Sequence, residues 1–366
     1  MPIPQRWRDT AAISGDYRDR SYLSAIESAK YLGITVDELH AIVGRGEVHA
    51  SLSASGQMRF ALRDLVTYES AHPREERSIL ESSGGEVEVN GTVQRIFASG
   101  SQSMDELSDS SVNLMVTSPP YFDAKMYSRS SVDGDLGSIH DIDQWFAGMG
   151  QVWREVYRVL QPGRKAFINI MNLPVRTDEG GFRTLNLAGR TAEAMEKIGF
   201  VFKRDIIWHK TNSSRAHFGT YPYPGGILIN NSHEFILEFE KPAPRGDRKY
   251  SHIPPEKKEL SKLDREFWLS IKNSDVWTMH PEGSGDRRSH VAPFPPELPS
   301  RLIRAYSYVG ETVLDPFAGS GTTLLEAARS GRNGVGYELM PEIASGALHE
   351  LCRMRDAMLT SSGGRG

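Results

Sequence analysis

The amino-acid sequence predicts an α/β protein in which a doubly wound, mostly parallel sheet carries helices on both faces. A β-branched, apolar run at Glu311–Leu314 is followed by a glycine-containing turn and by strong helix formers from Leu324 onwards. A second strand-like run, Gly334–Glu338, follows that helix. The same succession occurs upstream, where helical periodicity over 145–160 precedes a strand-like run at 165–170. Strands that alternate with helices in this way are typical of a parallel sheet.

The bulk composition limits what else the chain can be. Its 366 residues exceed one average domain, and its net charge of −4 means that any nucleic-acid binding must come from a local basic face. The single cysteine, Cys352, excludes an internal disulfide framework, and the 11 histidines show no paired ligand spacing, so no metal site is predicted. No apolar run has the length of a signal peptide core or of a membrane span. We therefore expect a cytoplasmic protein without a membrane partner.

The N-terminal region divides into an arm, residues 1–21, and a small unit, residues 22–72. The unit contains three predicted helices and one hairpin that turns at Ser55–Gly56; they lie at Ser24–Leu32, Thr35–Gly44, Leu62–Ala71 and Glu47–Phe60. This succession is similar to an excisionase-type winged helix-turn-helix. Six carboxylates outnumber four lysines and arginines in the unit, which argues against tight DNA binding. DNA contact and a protein-contact or packing role therefore stay equally open.

Residues 73–86 lack periodic apolar positions and are predicted to be a linker, ahead of a main domain at 87–359 and a disordered tail at 360–366. Within the main domain, the polar stretch 122–143 holds too few apolar residues for a packed element and is expected to be a loop over the site. Between 241 and 290 the pattern is irregular, and eleven lysines and arginines exceed eight acids.

The turn Asp315–Thr323 is predicted to bind a ligand. Its glycines let the backbone approach a ligand closely, and the following helix offers unpaired N–H groups at its start. Neither the Walker lysine nor the Gly-x-Gly-x-x-Gly spacing is present, so phosphate binding is disfavoured. Glu338 follows the next strand, where an α/β site holds a ribose diol. The pattern favours a nucleoside ligand without a phosphate clamp.

A second distinctive stretch, Thr117–Tyr121, follows the strand-like run Val112–Val116. Its two prolines fix the backbone, so the neighbouring oxygens keep one direction. Ser118 and the carbonyl of Pro119 are hydrogen-bond acceptors, and Tyr121 offers a ring for stacking. This set suits a planar base that carries an exocyclic amino group.

Together the two stretches resemble the SPPY and DPFAGSGT motifs of the DNA amino-methyltransferases that use S-adenosylmethionine. Because the catalytic motif precedes the cofactor motif, the chain is most similar to the permuted β group, from roughly residue 90 to residue 350. The resemblance implies a circularly permuted, Rossmann-like sheet of seven strands. The implied catalytic residues are Ser118, Pro119, Pro120 and Tyr121. The implied cofactor-binding residues are Thr117, Phe294, Asp315, Phe317, Ala318, Gly319, Ser320, Gly321, Thr322 and Glu338.

Other positions resemble further landmarks of the family or depart from them. Phe294 lies in a segment that resembles the one packed against the methionine end of the cofactor, and 241–290 resembles the target-recognition region, with a solvated charged surface as the rival interpretation. Segments 208–210 and 233–235 resemble those that line the pocket for the flipped base. Ser101 stands where the family commonly has an acid that helps hold the adenine, and either Asp105 replaces that acid or the contact is lost. Met171-Asn172 replaces the usual Gly-Asp.

The resemblance implies a direct methyl transfer to the exocyclic nitrogen of a base that is flipped out of double-stranded DNA. Serine at position 118 resembles the cytosine-N4 enzymes, and an adenine-N6 enzyme is the alternative, since serine and aspartate can each accept from an amino group. A non-catalytic DNA-binding regulator is the second alternative, favoured only by Ser101 and Met171-Asn172. The further partners considered are a second copy of the chain and a cognate restriction endonuclease.

Overall fold

The structure is a computed structural model that describes residues 22–32, 36–52, 58–71, 84–120, 122, 134–176, 182–211, 229, 231–246, 250–281 and 294–362. The chain divides into two compact units, Met1–Ile79 and Leu80–Gly366. This division falls inside the predicted linker, residues 73–86. No helix in the described ranges is both long enough and apolar enough to cross a membrane.

In its described residues, the first unit combines a small antiparallel sheet, in the order β1-β3-β2, with three helices. Its elements are β1 (Tyr22–Ser24), α1 (Ala25–Leu32), α2 (Val36–Gly44), β2 (Ala50–Leu52), β3 (Met58–Ala61) and α3 (Leu62–Ala71). Leu23, Leu39 and Phe60 are fully buried in its core. At the start of α1, the Ser24 N–H donates to Glu27 Oε2 at 2.9 Å, and the Glu27 N–H donates back to Ser24 Oγ at 3.3 Å. The predicted turn at Ser55–Gly56 and the predicted start of the second helix at Thr35 lie outside the described residues.

The second unit alternates strands and helices. Its strands are β4 (Gly85–Val89), β5 (Thr92–Phe97), β6 (Val112–Thr117), β7 (Leu160–Ile170), β8 (Leu173–Arg176), β9 (Phe182–Leu185), β10 (Val201–Lys210), β11 (His233–Glu240), β12 (Val276–Met279), β13 (Thr312–Asp315) and β14 (Asn333–Tyr337). Its helices are α4 (Ile142–Val159), α5 (Leu187–Ile198), α6 (Pro255–Leu260), α7 (Arg265–Lys272), α8 (Glu297–Tyr306), α9 (Thr322–Arg329) and α10 (Pro341–Ser362). A 3₁₀ turn spans Leu136–Ser138.

The main sheet has nine strands in the part of the chain that is described, in the order β12-β10-β11-β7-β6-β13-β14-β5-β4, so the expectation of seven was wrong. The central strands β7, β6, β13, β14 and β5 are parallel, as predicted. Two short edge strands account for the difference. Strand β4 is antiparallel to β5 in a hairpin whose turn residues, Asn90 and Gly91, both have positive φ, and β12 is parallel to β10.

The helices cover both faces of this sheet. Met115 packs with residues of α4 and α5, whereas its neighbours Leu114 and Val116 pack with residues of α8 and α9. Because successive side chains of a strand point to opposite faces, the two clusters lie on opposite sides of the sheet. All six residues of β6 are buried, as expected for a central parallel strand.

Several predicted boundaries need correction. The stretch 122–143 is not a purely open loop, because Leu136 is buried and α4 already begins at Ile142, where the Asp141 carboxylate accepts from the Gln144 N–H at 2.8 Å. Residues 123–133 lie outside the described part. Region 241–290, predicted to be irregular, contains α6, α7 and β12. The last helix continues to Ser362, past the predicted start of the tail at residue 360.

A buried ion pair links β7 to the chain before β13. Arg164 and Glu311 have side chains that are 2% and 5% exposed, and Arg164 Nη1 lies 3.2 Å from Glu311 Oε2. The Tyr308 N–H also donates to Glu311 Oε2 at 2.8 Å. Since an uncompensated buried charge is costly, each partner depends on the other.

Replacing Arg164 with methionine is expected to lower the free energy of unfolding by about 3–5 kcal/mol, because the carboxylate of Glu311 stays buried without its cation. Urea denaturation followed by circular dichroism measures this change. Arg95→Met serves as the control, since Arg95 and Glu86 form an ion pair whose side chains are both 52% exposed. That control is expected to cost about 0–1 kcal/mol, and equal losses in the two variants would contradict the prediction.

Candidate active site

A cavity of about 170 Å³ lies where the carboxyl ends of β5, β6, β13 and β14 meet. The end of a parallel sheet is where open α/β folds bind their ligands. Its lining comes from five segments and from Phe294; the segments are 99–102, 118–120, 134–136, 315–322 and 337–343. The cavity therefore brings together the two stretches that the sequence singles out, although Thr117 and Asp315 are 198 residues apart.

Asp315 holds these two stretches together. Its Oδ1 accepts from Thr117 Oγ1 at 2.6 Å and from the Phe317 N–H at 3.0 Å, and its Oδ2 accepts from Thr323 Oγ1 at 2.6 Å. Burial raises the pKa of the Asp315 carboxyl to about 6, and the hydrogen bonds from Thr117, Thr323 and Phe317 partly oppose that rise. Thr117 is fully buried behind the cavity, so its hydroxyl supports Asp315 and does not line the cavity.

The turn Asp315–Thr323, called the glycine loop below, packs closely against α10 and β14. Gly319 and Gly321 have φ values of +51° and +82°, which side chains other than glycine rarely adopt. A Cβ at Gly321 would lie 2.9 Å from the Cβ of Ala347, and one at Gly336 would lie 2.7 Å from the Cβ of Ala318. The loop is thus held against α10 and β14 without space for further side-chain atoms. Ala318, Gly319, Ser320 and Thr322 line the cavity, whereas Gly321 does not.

Glu338 follows β14 and lines the same cavity. Its Oε2 accepts from the Gly319 N–H at 3.1 Å, and its Oε1 accepts from the Met340 N–H at 2.9 Å. Burial raises the pKa of its carboxyl. Because a carboxylate offers about four lone-pair sites, both oxygens can still accept from hydroxyl groups of a ligand.

Aromatic rings form the apolar walls. Phe317 packs edge-on against Trp153, with ring centroids 6.2 Å apart, and Tyr337 lies 5.1 Å from Phe97. The Tyr337 hydroxyl donates to Glu106 Oε2 at 2.9 Å, which fixes that ring. Phe294 is 7% exposed and packs with the residues of the sheet face that α8 covers.

The predicted catalytic turn enters the cavity from the end of β6. Ser118, Pro119 and Pro120 line the cavity beside Asp315. Ser118 is half-buried, and Pro119 is buried. Tyr121, the fourth predicted catalytic residue, lies outside the described residues.

A polar cluster near this turn joins Asn169 to Glu234 and Lys210. Glu234 and Lys210 lie in the segments 233–235 and 208–210 that the sequence singles out, whereas Asn169 was missed by sequence reasoning. Asn169 Nδ2 donates to Glu234 Oε2 at 2.5 Å, and Lys210 Nζ forms an ion pair with Glu234 Oε1. Thr117 pairs with Ile168 across β6 and β7, so the next residues of the two segments are Ser118 and Asn169. In the sequence, Asn169 is only a single asparagine within an apolar strand. Nothing near it in the chain indicates that its partners lie on β10 and β11.

His209 and His233 lie opposite each other on the neighbouring strands β10 and β11. His209 is exposed, with its Nδ1 3.5 Å from Thr278 Oγ1, and the His233 ring packs against Phe235 at 5.1 Å. Neither histidine lines the cavity.

The positions of Ser101 and Asp105 show whether Asp105 can replace the acid that this chain lacks at position 101. Ser101 lines the cavity, is 2% exposed, and its Oγ has no hydrogen-bond partner in the described part of the chain. Asp105 is exposed and does not line the cavity. Asp135, which sequence reasoning did not select, does line it.

The lining fits a nucleoside with a positive charge better than a nucleotide. Among the described lining residues there are three acids, Asp135, Asp315 and Glu338, and there is no lysine or arginine. Such a lining attracts a sulfonium group and repels phosphate. The glycine loop allows close backbone approach, and Glu338 is placed to accept from ribose hydroxyls.

Comparison with known proteins agrees with this geometry. Residues 112–349 match the family of N6 and N4 methyltransferases, described as DNA methylases. The match spans more than half of the chain. The chain therefore belongs to this family of DNA methylases, whose cofactor is S-adenosylmethionine.

Individual proteins that resemble this chain are also DNA methyltransferases or DNA methylases by description. The Type II methyltransferase M.MjaI of Methanocaldococcus jannaschii is 35% identical over 277 residues, which cover 68% of this chain and 88% of the relative. A candidate DNA modification methylase of Thermus thermophilus, solved with S-adenosyl-L-methionine, is 32% identical, with a TM-score of 0.57 and coverage of 72% of this chain and 94% of that one. The PvuII DNA methyltransferase, which is cytosine-N4-specific, has a TM-score of 0.51 over 76% of this chain and 95% of its own. Since its identity is 16%, that likeness concerns the fold alone.

Asp315→Asn is expected to change how stability depends on pH. Below pH of about 4 both the folded and the unfolded chain hold the proton, whereas between about 4 and 6 only the folded chain keeps it, because burial raises the pKa from 3.8 to about 6. The contribution of Asp315 to stability therefore falls as pH rises through this window, by roughly 3 kcal/mol. Asparagine Oδ1 can accept from Thr117 Oγ1 and the Phe317 N–H, its Nδ2 can donate to the Thr323 hydroxyl in the reverse direction, and it does not titrate.

The free energy of unfolding is measured for Asp315→Asn and for the unchanged protein at intervals from pH 4 to pH 8. All other titrating groups are common to the two chains, so they cancel in the difference. We expect the variant to gain stability relative to the unchanged chain as pH rises to about 6, with a plateau above it. A difference that stays constant over this range would show that the carboxylate is already ionised at pH 4.

Proposed function

We propose that this chain transfers a methyl group from S-adenosylmethionine to the exocyclic N4 of a cytosine that is flipped out of double-stranded DNA. The observation that carries this proposal is the shared cavity, in which Ser118 and Pro119 adjoin the glycine loop through the Thr117–Asp315 hydrogen bond. The serine at position 118 favours cytosine over adenine by its resemblance to the cytosine-N4 enzymes. An adenine-N6 activity is the alternative.

In this proposal, Ser118 Oγ and the carbonyl of Pro119 accept the two N–H groups of the amino nitrogen. Both acceptors are fixed by the rigid proline turn, so the lone pair of the nitrogen is directed towards the cofactor. Tyr121 stacks on the base and offsets part of the unstacking cost of a few kcal/mol. When bound, the cofactor supplies an electrophilic methyl group on a sulfonium. No covalent enzyme intermediate is required.

The cofactor would be held by the residues of the cavity. Glu338 accepts from the ribose hydroxyls, and Phe317, Ala318, Gly319, Ser320 and Thr322 approach it through the loop. Phe294 packs against its methionine end. Asp315 lines the cavity and fixes the loop, whereas Thr117 and Gly321 act from behind the lining.

We further propose how DNA is recognised. We assign the chain to the permuted β group because its catalytic motif precedes its cofactor motif, and we propose 241–290 as the target-recognition region. There Trp268 is 48% exposed with Lys272 Nζ 4.8 Å from its ring, which offers a stacking and phosphate-binding surface. We propose that the first unit, whose described elements include three helices and the strands β2 and β3, is a winged helix-turn-helix that contributes a second contact to DNA or to protein. A second copy of the chain and a cognate restriction endonuclease complete the proposed partners.

The test is to incubate the protein with bacterial DNA and labelled S-adenosylmethionine, digest the DNA to nucleosides and identify the labelled one by mass. N4-methylcytosine is the expected product. Ser118→Ala is expected to lower turnover about 10²–10³-fold, because an acceptor for the reacting amino group is lost. Ser111→Ala is the control, since Ser111 lies at the opposite end of β6 and its hydroxyl donates to the Ser108 carbonyl at 2.6 Å.

Any outcome other than N4-methylcytosine would change the proposal in a specific way. N6-methyladenine would retain the cofactor site and the acceptor roles but replace the proposed base. Cofactor binding without any labelled nucleoside would favour the non-catalytic regulator.

A further inference from the structure

The order of the strands indicates where each part of the cofactor lies. The glycine loop follows β13, Glu338 follows β14, and 99–102 follows β5, and these three strands are neighbours in that order. A nucleoside whose ribose is held after the second strand extends its base towards the end of the third. The base of the cofactor is therefore expected over 99–102, beside Gly134–Leu136.

Ser101 presents an unused polar atom at this position. It is 2% exposed, it lines the cavity, and its Oγ has no hydrogen-bond partner in the described part of the chain. Buried hydroxyl groups are nearly always hydrogen-bonded, because an unpaired one has lost its hydrogen bonds to water. A ligand atom that pairs with this hydroxyl compensates for that loss.

Asp135 presents a carboxylate at the same end of the cavity. It is 9% exposed, and its Oδ1 accepts from the Gly137 N–H at 2.9 Å, at the start of the 3₁₀ turn. Gln102 Nε2 donates to the Gly134 carbonyl at 2.9 Å, which ties this segment to the one that contains Ser101. The two segments therefore form one wall.

We propose that Asp135 and Ser101 together bind the amino edge of the cofactor's adenine, and that Asp135 replaces the acid that is missing at position 101. The amino edge offers an N–H donor beside a ring-nitrogen acceptor. A carboxylate that accepts and a hydroxyl that donates are complementary to this pair. Asp105, the other candidate for that acid, is exposed and does not line the cavity.

The test compares two ligands by isothermal titration calorimetry with the full chain. S-Adenosylhomocysteine carries the amino edge, and S-inosylhomocysteine carries a carbonyl and a ring N–H there, which reverses donor and acceptor. We expect the unchanged chain to prefer the adenosyl ligand. Asp135→Asn is expected to bind the adenosyl ligand about tenfold to a hundredfold more weakly and to lose most of this preference.

The choice of asparagine separates recognition from folding. Its side-chain oxygen can still accept from the Gly137 N–H and cap the turn, so the local structure is retained. A merely structural role of Asp135 would weaken both ligands equally and leave their ratio unchanged. An unchanged ratio in Asp135→Asn would therefore overturn the proposal.

Two further variants sharpen the result. Asp105→Asn is the matched control, and a loss of preference there would assign the acid to Asp105 and overturn the proposal. Combining Asp135→Asn with Ser101→Asp moves the acid to the other residue of the same wall, and we expect this to restore the preference for the adenosyl ligand.

Because the readout is binding, the result does not depend on which DNA base is methylated. If the unchanged chain binds neither ligand, both this proposal and the cofactor roles proposed for the cavity fall. If it binds both ligands equally well, only this proposal falls.

Discussion

The hydrogen bonds that Asp315 accepts are the constraint on which the geometry of the cavity depends. Thr117 ends β6 and leads into Ser118, Asp315 ends β13 and leads into the glycine loop, and Thr323 lies in the first turn of α9. One buried carboxylate thus fixes three segments, two of which are 198 residues apart in the chain. Since a buried acceptor that loses its donor is costly, the three segments hold their places together. The proposed acceptors for the base and the proposed cofactor loop share this single anchor.

Charge decides which ligand such a cavity takes. The described lining carries three carboxylates and no cation, and the glycine loop lacks the lysine with which nucleotide-binding loops hold phosphates. The backbone geometry of the loop alone does not distinguish a phosphate from an uncharged group, because both accept from a helix N-terminus. The acidic lining makes the distinction, and it favours a cationic nucleoside.

The sequence predicts the parts whose information is local. The glycine turn, the proline turn and the central apolar strands each have a pattern within about ten residues. Thr117 and Asp315 meet because the parallel strands that they end are neighbours in the sheet. The edge strand β12 was missed because four residues carry little periodic signal. Asp135 and Asn169 were missed for another reason. Their importance depends on neighbours from distant segments, since Asn169 and Glu234 are 65 residues apart.

The end of the sheet that holds the cavity carries different charges near β13, β14 and β5 than near β7, β11 and β10. Around β13, β14 and β5 the acids of the cavity face a cofactor that is cationic before the reaction and neutral after it. Around β7, β11 and β10 the charges of Lys210 and Glu234 compensate each other, which suits the base without net charge that we propose there. Because Coulomb attraction is strong in a partly buried site, the acids bind the cationic cofactor more tightly than its neutral product. In the proposed site, the carboxylates that select the cofactor therefore also favour release of the product.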